Sequence, residues 1–255
     1  MADDVPLIWH QPFTVRAYEV GPDEHASVLT IADYFQESAG EHASAAGVES
    51  FALPDGTGTW VLSRLHLQIA RRPAMRQRVT VETWPSGRDG LRALREYRLL
   101  DQDGHVLALG TSVWFVLHVE RRRPVRLPDQ LARFQSDDPE RVLPLPAEPV
   151  APDTVDHSAS FRVRRSDLDR VGHANNVRFV EWTLEGLPDH SGLAGIDLVY
   201  KAEASAGDDV VSEAGPLVDS TRRHRLTRAS DQRLLALART TWTPHDATSS
   251  LPSSS

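Results

Sequence analysis

Cysteine is absent from all 255 residues of this chain. That excludes disulfides, thiolate metal sites and a cysteine nucleophile, and it is compatible with a reducing cytoplasm. Long apolar runs are missing too. No window approaches 18 consecutive apolar residues, so no membrane span is predicted. The opening, "MADDVPLIWHQPF", is acidic and has no extended apolar core, which predicts that it is not a secretory signal. There is no basic excess either: the formal net charge is −8, which argues against a general nucleic-acid binder. A phosphate loop of the G-x-x-x-x-G-K type, H-E-x-x-H, G-x-S-x-G and metal-ligand spacings are all absent. No cofactor and no metal are expected.

What is present is the composition of a globular chain, 40% hydrophobic and 25% charged, long enough for one large domain or two ordinary ones. The same order of elements occurs twice. A strand-like segment, Phe13 to Val20, precedes a helix over Ser27 to Gly47, where Leu29, Ala32, Phe35 and Ala39 recur at helical spacing. Four β-rich runs follow: Trp60 to Ala70, Arg78 to Trp84, Leu91 to Leu100 and Val106 to Val119, with a hairpin turn at "QDG". Prolines then crowd residues 124–156, which read as a connector carrying a short helix at "DQLARF". The second half repeats the plan. "SASFRVRR" reads as a strand, and Val177, Val180, Leu184 and Leu187 stripe a helix. Strands are expected at Gly195 to Ser205, Asp209 to Glu213, Thr221 to Ala229 and Arg233 to Thr243. The tail after Pro244 is polar and reads as disordered. This is an α+β layout, an antiparallel sheet around one long helix in each of two tandem units. The units span 11–123 and 157–244, joined by 124–156 and followed by a tail over 245–255.

The chemistry concentrates in "SDLDRVGHANNVRFVEW", Ser166 to Trp182. A helix start presents unpaired N–H groups and a partial positive charge, which suits a developing oxyanion. Asn175 and Asn176 stand where a helix cap is expected. Asp169 is a candidate base or nucleophile, and the plain alternative is a turn-forming aspartate. His173 is either a proton shuttle or a turn histidine. Asp167 reads as support for the turn, and Glu181 and Glu185 as surface groups of the helix. Aligning the halves on their apolar stripes, Val177 with Ile31, sets Asp23 opposite Asp169 and Ser27 opposite His173. Leu29 and Thr30 then face the two asparagines, so the first half lacks the imidazole and both amides. One active site per chain is predicted, with the first half supplying an apolar pocket lined by aromatics such as Phe35, Trp60 and Trp84.

These motifs resemble the hotdog-fold thioesterases, and within them the acyl-(acyl carrier protein) thioesterases of plants and bacteria. The second half carries "DLDxxxHxNN" and "LEGLP"; the first carries "YEVGPD", "EHA", "WVLSRLHLQIARRP", "VTVETWP" and "SVWFVLHVERRRPVRLPDQL". The likeness covers residues 13 to about 243. It implies a tandem double hotdog, cytoplasmic action and hydrolysis of fatty acyl-carrier thioesters in fatty acid biosynthesis. It places the family's catalytic aspartate, histidine and glutamate on Asp169, His173 and Glu203. Two positions depart from the family: Val171 stands where it has asparagine, and Ala204 where a cysteine often follows the glutamate. The implied partner is acyl carrier protein, docked on arginine clusters that include Arg71, Arg72, Arg121, Arg122 and Arg123. A homodimer is compatible, although two fused hotdogs already form the pair that single units build by association. The rival readings are an acyl-CoA thioesterase, a hydrolase of other carrier-bound intermediates, a dehydratase of 3-hydroxyacyl groups, and a non-catalytic acyl-binding member of the fold.

Overall fold

The computed structural model describes residues 5–48, 57–127 and 141–243. The expected short helix at "DQLARF" and the expected disordered tail lie outside the described residues. The first half contains β1 (Trp9–Thr14), α1 (Val28–Ala45), β2 (Gly58–Ile69), β3 (Arg78–Asp89), β4 (Arg92–Leu100) and β5 (Val106–His118). A short β6 (Arg123–Val125) returns along β5. The second half contains β7 (His157–Arg162), α2 (Asn176–Glu185), β8 (Leu193–Tyr200), β9 (Asp209–Ala214), β10 (Thr221–Arg228) and β11 (Leu234–Trp242).

Each half places its strands in equivalent order around its helix, and the halves join edge to edge. The sheet runs β1-β3-β4-β5-β2-β8-β11-β10-β9-β7, every neighbour antiparallel. The join is β2 on β8, with His66 opposite Asp197 and Leu67 opposite Ile196. Alternation puts Leu65, Leu67, Ile196 and Leu198 on the helix side, in the core, and Arg64, His66 and Asp197 on the far side. A register shift between Leu62 and Arg64 restarts that alternation, which is why Leu62 and Leu65 share the inner face. Gly195 is needed at the seam, since a Cβ there would meet the Leu67 carbonyl at 2.8 Å.

The helices begin and end by local chemistry. Ser27 caps α1 by accepting the Thr30 N–H at 3.0 Å, and Asn175 caps α2 by accepting the Val177 N–H at 3.0 Å. α1 ends in a left-handed Gly47, with N–H bonds from Gly47 to Ser44 and from Val48 to Ala43. Ile31, Phe35 and Ala39 of α1 and Val177, Val180 and Leu184 of α2 are buried against the sheet, as their spacing predicts. Leu187 is buried too, beyond the end of α2.

Several strand boundaries differ from the sequence reading; β1 begins at Trp9, ahead of Phe13, and β3 runs past Trp84 to Asp89. The strands expected to reach Val20 and Arg165 stop at Thr14 and Arg162, and short 3-10 turns follow at Ala17–Glu19 and Arg165–Asp167. Each turn closes on an acid: Glu19 accepts the Arg16 N–H and Asp167 the Arg164 N–H, both at 2.7 Å. The strand expected to continue to Ser205 ends at Tyr200, because the next two N–H groups, of Lys201 and Ala202, both turn to the single carbonyl of Leu235.

The segment joining the halves crosses the outer face. Glu96, fully buried there, accepts from Ser86 (2.6 Å), Thr111 (2.5 Å) and the Val142 N–H (3.2 Å). Asp197 binds Arg64 through two bonds of 2.7 Å and Arg239 through one of 3.0 Å. Those arginines also donate to the carbonyls of Pro146 and Ala147.

Two outcomes follow from this burial. Asp197→Ala leaves two arginines without their anion, and urea unfolding is expected to show a loss of about 3–5 kcal/mol. Arg64→Met with Asp197→Leu is expected to recover much of it, because both charges are then gone. His224 is buried beneath α2, 2.8 Å from Thr240 Oγ1, and burial, with Arg222 nearby, lowers its pKa to about 3. The unfolded imidazole titrates near ~6.5, so between these values the unfolded chain binds the extra proton. Stability is therefore complete above that range and is expected to fall as pH drops through it, by up to about 1.4 kcal/mol per pH unit. Urea midpoints at pH 7 and pH 4.5 check this, and His224→Gln is expected to flatten the slope.

Candidate active site

The segment from Arg164 to Asn176 is a string of turns that delivers the polar groups to the start of α2. Asp169 Oδ1 accepts the N–H groups of Val171 (2.9 Å) and His173 (3.2 Å), and Gly172 takes the left-handed conformation (φ 85°) that the turn requires. Asp167 supports the neighbouring turn, as expected. Asp169 is thus committed through one oxygen to the turn; its Oδ2 has no partner among the described residues.

His173 and Ser205 form a β-bridge, which brings the loop after β8 against the α2 loop. Glu203 sits in that loop, with Oε2 3.7 Å from His173 Nε2. Arg228 anchors the loop, donating to the Glu203 carbonyl at 2.8 Å and lying 3.1 Å from Asp208. The same Glu203 oxygen receives Arg122 Nη2 at 2.8 Å. Arg122 stands in the turn between β5 and β6, so it comes from the first half, and it holds a left-handed backbone (φ 49°). Sequence reasoning assigned Arg122 to a basic cluster and had no means of seeing this contact.

Asn175 and Asn176 separate in role. Asn175 is the cap, and its Oδ1 also accepts from Gln36 Nε2 of α1 at 3.2 Å, a second contact between the halves. Asn176 is the first helical residue. Its carbonyl accepts from Tyr200, and its N–H has no partner among the described residues, although those of Val177 and Arg178 both return to Asn175. Asn176 and Val177 line a narrow cleft with Ala32, Phe35 and Gln36 of α1, Leu62 and Leu65 of β2, Tyr97, Ser112, Trp114 and Tyr200. The cleft is therefore shared by both halves, and most of its apolar wall belongs to the first. Phe35 lines it as expected, but Trp60 and Trp84 do not. Trp60 donates to the Val48 carbonyl, and Trp84 lies on the outer face beneath Arg98, 4.8 Å from its ring centre.

The structure corrects the alignment of the halves. Backbone bonds of Gly21 to His25, Ser27 to Glu19 and Ala26 to Pro73 have counterparts in Asp169 to His173, Asn175 to Asp167 and Ala174 to Ala204. His25, not Ser27, is the mate of His173; Gly21 is the mate of Asp169, Ser27 of Asn175 and Arg72 of Glu203. The first half keeps the imidazole and lacks both carboxylates. An apolar stripe recurs every three to four residues and fixes register only to within a turn, whereas the cap is unique. In place of an acid pair the first half has Arg72 bound to Asp23, and Arg71 is bound to Asp101 at 2.9 Å.

Residues 6–134 match the family model for the acyl-ACP thioesterase N-terminal domain, and residues 150–244 that for the acyl-ACP thioesterase C-terminal domain. The chloroplastic acyl-[acyl-carrier-protein] hydrolase FATB2 of Cuphea viscosissima is 28% identical over 94% of this chain and 64% of its own length. The chloroplastic oleoyl-acyl carrier protein thioesterase 1 of Arabidopsis thaliana is 32% identical over 80% of this chain and 62% of its own. The chain thus spans just under two thirds of the curated relatives it matches. Among solved structures, an acyl-ACP thioesterase from Bacteroides thetaiotaomicron superposes with a TM-score of 0.83 at 19% identity, over 95% of this chain and 100% of its own. A 12:0-ACP thioesterase from Umbellularia californica gives 0.78 at 24%, over 93% and 98%. The tandem helix-and-sheet halves are a double hotdog, and the chain belongs to the acyl-ACP thioesterase family.

Proposed function

We propose that this protein is a thioesterase that hydrolyses fatty acyl-ACP and releases the free fatty acid, acting in the cytoplasm. The observation that carries the reading is the meeting of His173, Glu203 and the start of α2 beside a cleft built from both halves. In this mechanism Asp169, His173 and Glu203 are the catalytic groups. Water attacks the thioester carbon and gives its proton to Glu203, with His173 holding the water between them. The carbonyl oxygen becomes negative, and the free Asn176 N–H and the α2 dipole stabilise it. Collapse breaks the C–S bond and expels the thiolate. Its conjugate thiol has a pKa of ~8.5 if it is like that of cysteine, so it leaves without a strong acid. The proton on Glu203 then passes to the thiolate or to solvent and restores the base. Asp169 holds the turn through one oxygen and offers the other to the water. Val171 contributes no amide at the family's asparagine position, and the helix N–H takes that work over.

The geometry also supports docking of an acidic carrier. Arg121, Arg122 and Arg123 lie on the turn that reaches Glu203, so a carrier bound there delivers its thioester beside His173. Arg71 and Arg72 occupy the equivalent corner of the first half, each bound there to an acid, Asp101 and Asp23, so the docking reading rests on Arg121 to Arg123.

Free-thiol release from acyl-ACP and acyl-CoA panels tests the reaction. Asp169→Asn, which keeps the turn acceptor, His173→Ala and Glu203→Gln are each expected to lower kcat by about 10²-fold or more with the fold intact. Binding without turnover of any thioester would make the protein an acyl-binding member of the fold instead. For the carrier, Arg121→Ala with Arg123→Ala is expected to raise KM for acyl-ACP several-fold, to leave acyl-CoA unchanged, and to flatten the salt dependence of kcat/KM. An equal effect on both substrates would remove the docking role.

A further inference from the structure

The cleft is apolar at Phe35, Leu62 and Leu65, and besides Gln36, Asn176 and Tyr200 its lining carries a cluster of three polar groups. Tyr97 Oη lies 3.0 Å from Ser112 Oγ, and Trp114 Nε1 donates to the same Ser112 oxygen at 2.7 Å. Tyr97 and Ser112 are both buried. The trio holds three protons, on Tyr97, Ser112 and Trp114. Trp114 gives its proton to Ser112, and the two hydroxyls share one hydrogen bond. One O–H proton is left without an acceptor among the described residues, whichever hydroxyl donates. Burial raises the Tyr97 pKa, so the phenol keeps its proton.

The second half contains the same frame with one change. Gly110 pairs with Tyr97 as Ala238 pairs with His224, so the mates of Tyr97, Ser112 and Trp114 are His224, Thr240 and Trp242. There too the tryptophan donates to the hydroxyl, at 2.9 Å, but the partner 2.8 Å away is an imidazole nitrogen, which accepts from the hydroxyl in the tautomer protonated at the other nitrogen. In the first half a tyrosine replaces that acceptor with another donor, and the tyrosine version lines the cleft. A wall meant only for hydrocarbon gains nothing from a buried hydroxyl without an acceptor, which costs free energy until something accepts from it.

We infer that the acyl pocket is built for a chain bearing an oxygen, a hydroxyl or keto group, which accepts the free O–H of the Tyr97–Ser112 pair. This rests on the acyl-thioesterase reading and narrows its substrate class. A site arranged to hydrogen-bond a substrate oxygen discriminates against the analogue lacking it more strongly than an apolar pocket discriminates by size.

The test compares carrier-bound chains of one length, saturated or carrying a hydroxyl or keto group at successive carbons. One oxygenated chain is expected to exceed its saturated parent by about 10-fold or more in kcat/KM, and in Tyr97→Phe with Ser112→Ala the ratio of the two is expected to fall to about one. A saturated chain that is the best substrate of the wild type overturns the inference. So does a Tyr97→Phe enzyme that loses equal activity on every chain, because the hydroxyl then serves the thioester or the fold. If no chain is hydrolysed, the thioesterase reading fails by itself. Calorimetric binding of the free acids then decides: tighter binding of an oxygenated acid, lost in Tyr97→Phe, sustains the inference, and equal binding overturns it.

Discussion

The seam between β2 and β8 is the constraint on which the rest depends, and the Arg64–Asp197–Arg239 cluster locks it. Both edges are interior strands of the joined sheet, so their backbone groups are satisfied only when the halves pair. Backbone pairing alone tolerates slippage; a two-residue shift would keep every apolar side chain facing inward. A bidentate arginine on a nearly buried aspartate does not tolerate it. A buried ion pair contributes little net stability compared with apolar residues of the same shape, so register is the role that its geometry supports here. The carbonyls of Pro146 and Ala147 then tie the connecting segment to the same two arginines, which places the second half where the first can use it.

Once the register is set, the inner face follows. The starts of α1 and α2 come together, Gln36 reaches Asn175, and the cleft between them takes its walls from both halves. The halves are two equivalent frames, and three differences of side chain inside them bear on the site. Gly21 stands for Asp169, Arg72 for Glu203 and Tyr97 for His224, while the turns and bridges that carry those side chains keep equivalent backbone bonds. The division of labour lies in side chains at equivalent backbone positions, while the elements differ in length, α1 having 18 residues and α2 10.

Much of this was legible in the sequence. Period-two and period-3.6 patterns located most of the strands and both helices, because each has one face against a single core. Asp169 and His173 stood out in the sequence through the resemblance, since a polar cluster at a helix start serves equally to form a turn, and Asp169 does form one. The errors have specific causes. Arg16 to Glu19 and Arg164 to Asp167 continue an extended pattern, and only an acid folding back on its own backbone ends the strand. β6, three residues within the proline-rich stretch, exists through pairing with β5 and has no periodicity of its own. Trp60 shares the inner face with Leu62 but lies against the end of α1, where it binds Val48, and Trp84 is out of phase with Val79 and Val81, so period two alone turns it outward. Contacts between halves, Arg122 with Glu203 and Gln36 with Asn175, join residues far apart in the chain and leave no local signature.

Arg122 shows why the two halves work as one unit. Glu203 is partly exposed, and a carboxylate there would ordinarily be free to swing in water. Its Oε2 is instead held between Arg122 of the first half and His173 of the second. An exposed pair of this kind is worth little to stability. Its effect is on position: the arginine fixes the acid within reach of the imidazole, and the left-handed backbone at Arg122 is the conformation in which the β5–β6 turn presents it. Loss of register at the seam would displace Arg122, Gln36 and the apolar wall together. A site with every acid and imidazole on the second half therefore still requires the first, for its geometry as well as for its pocket.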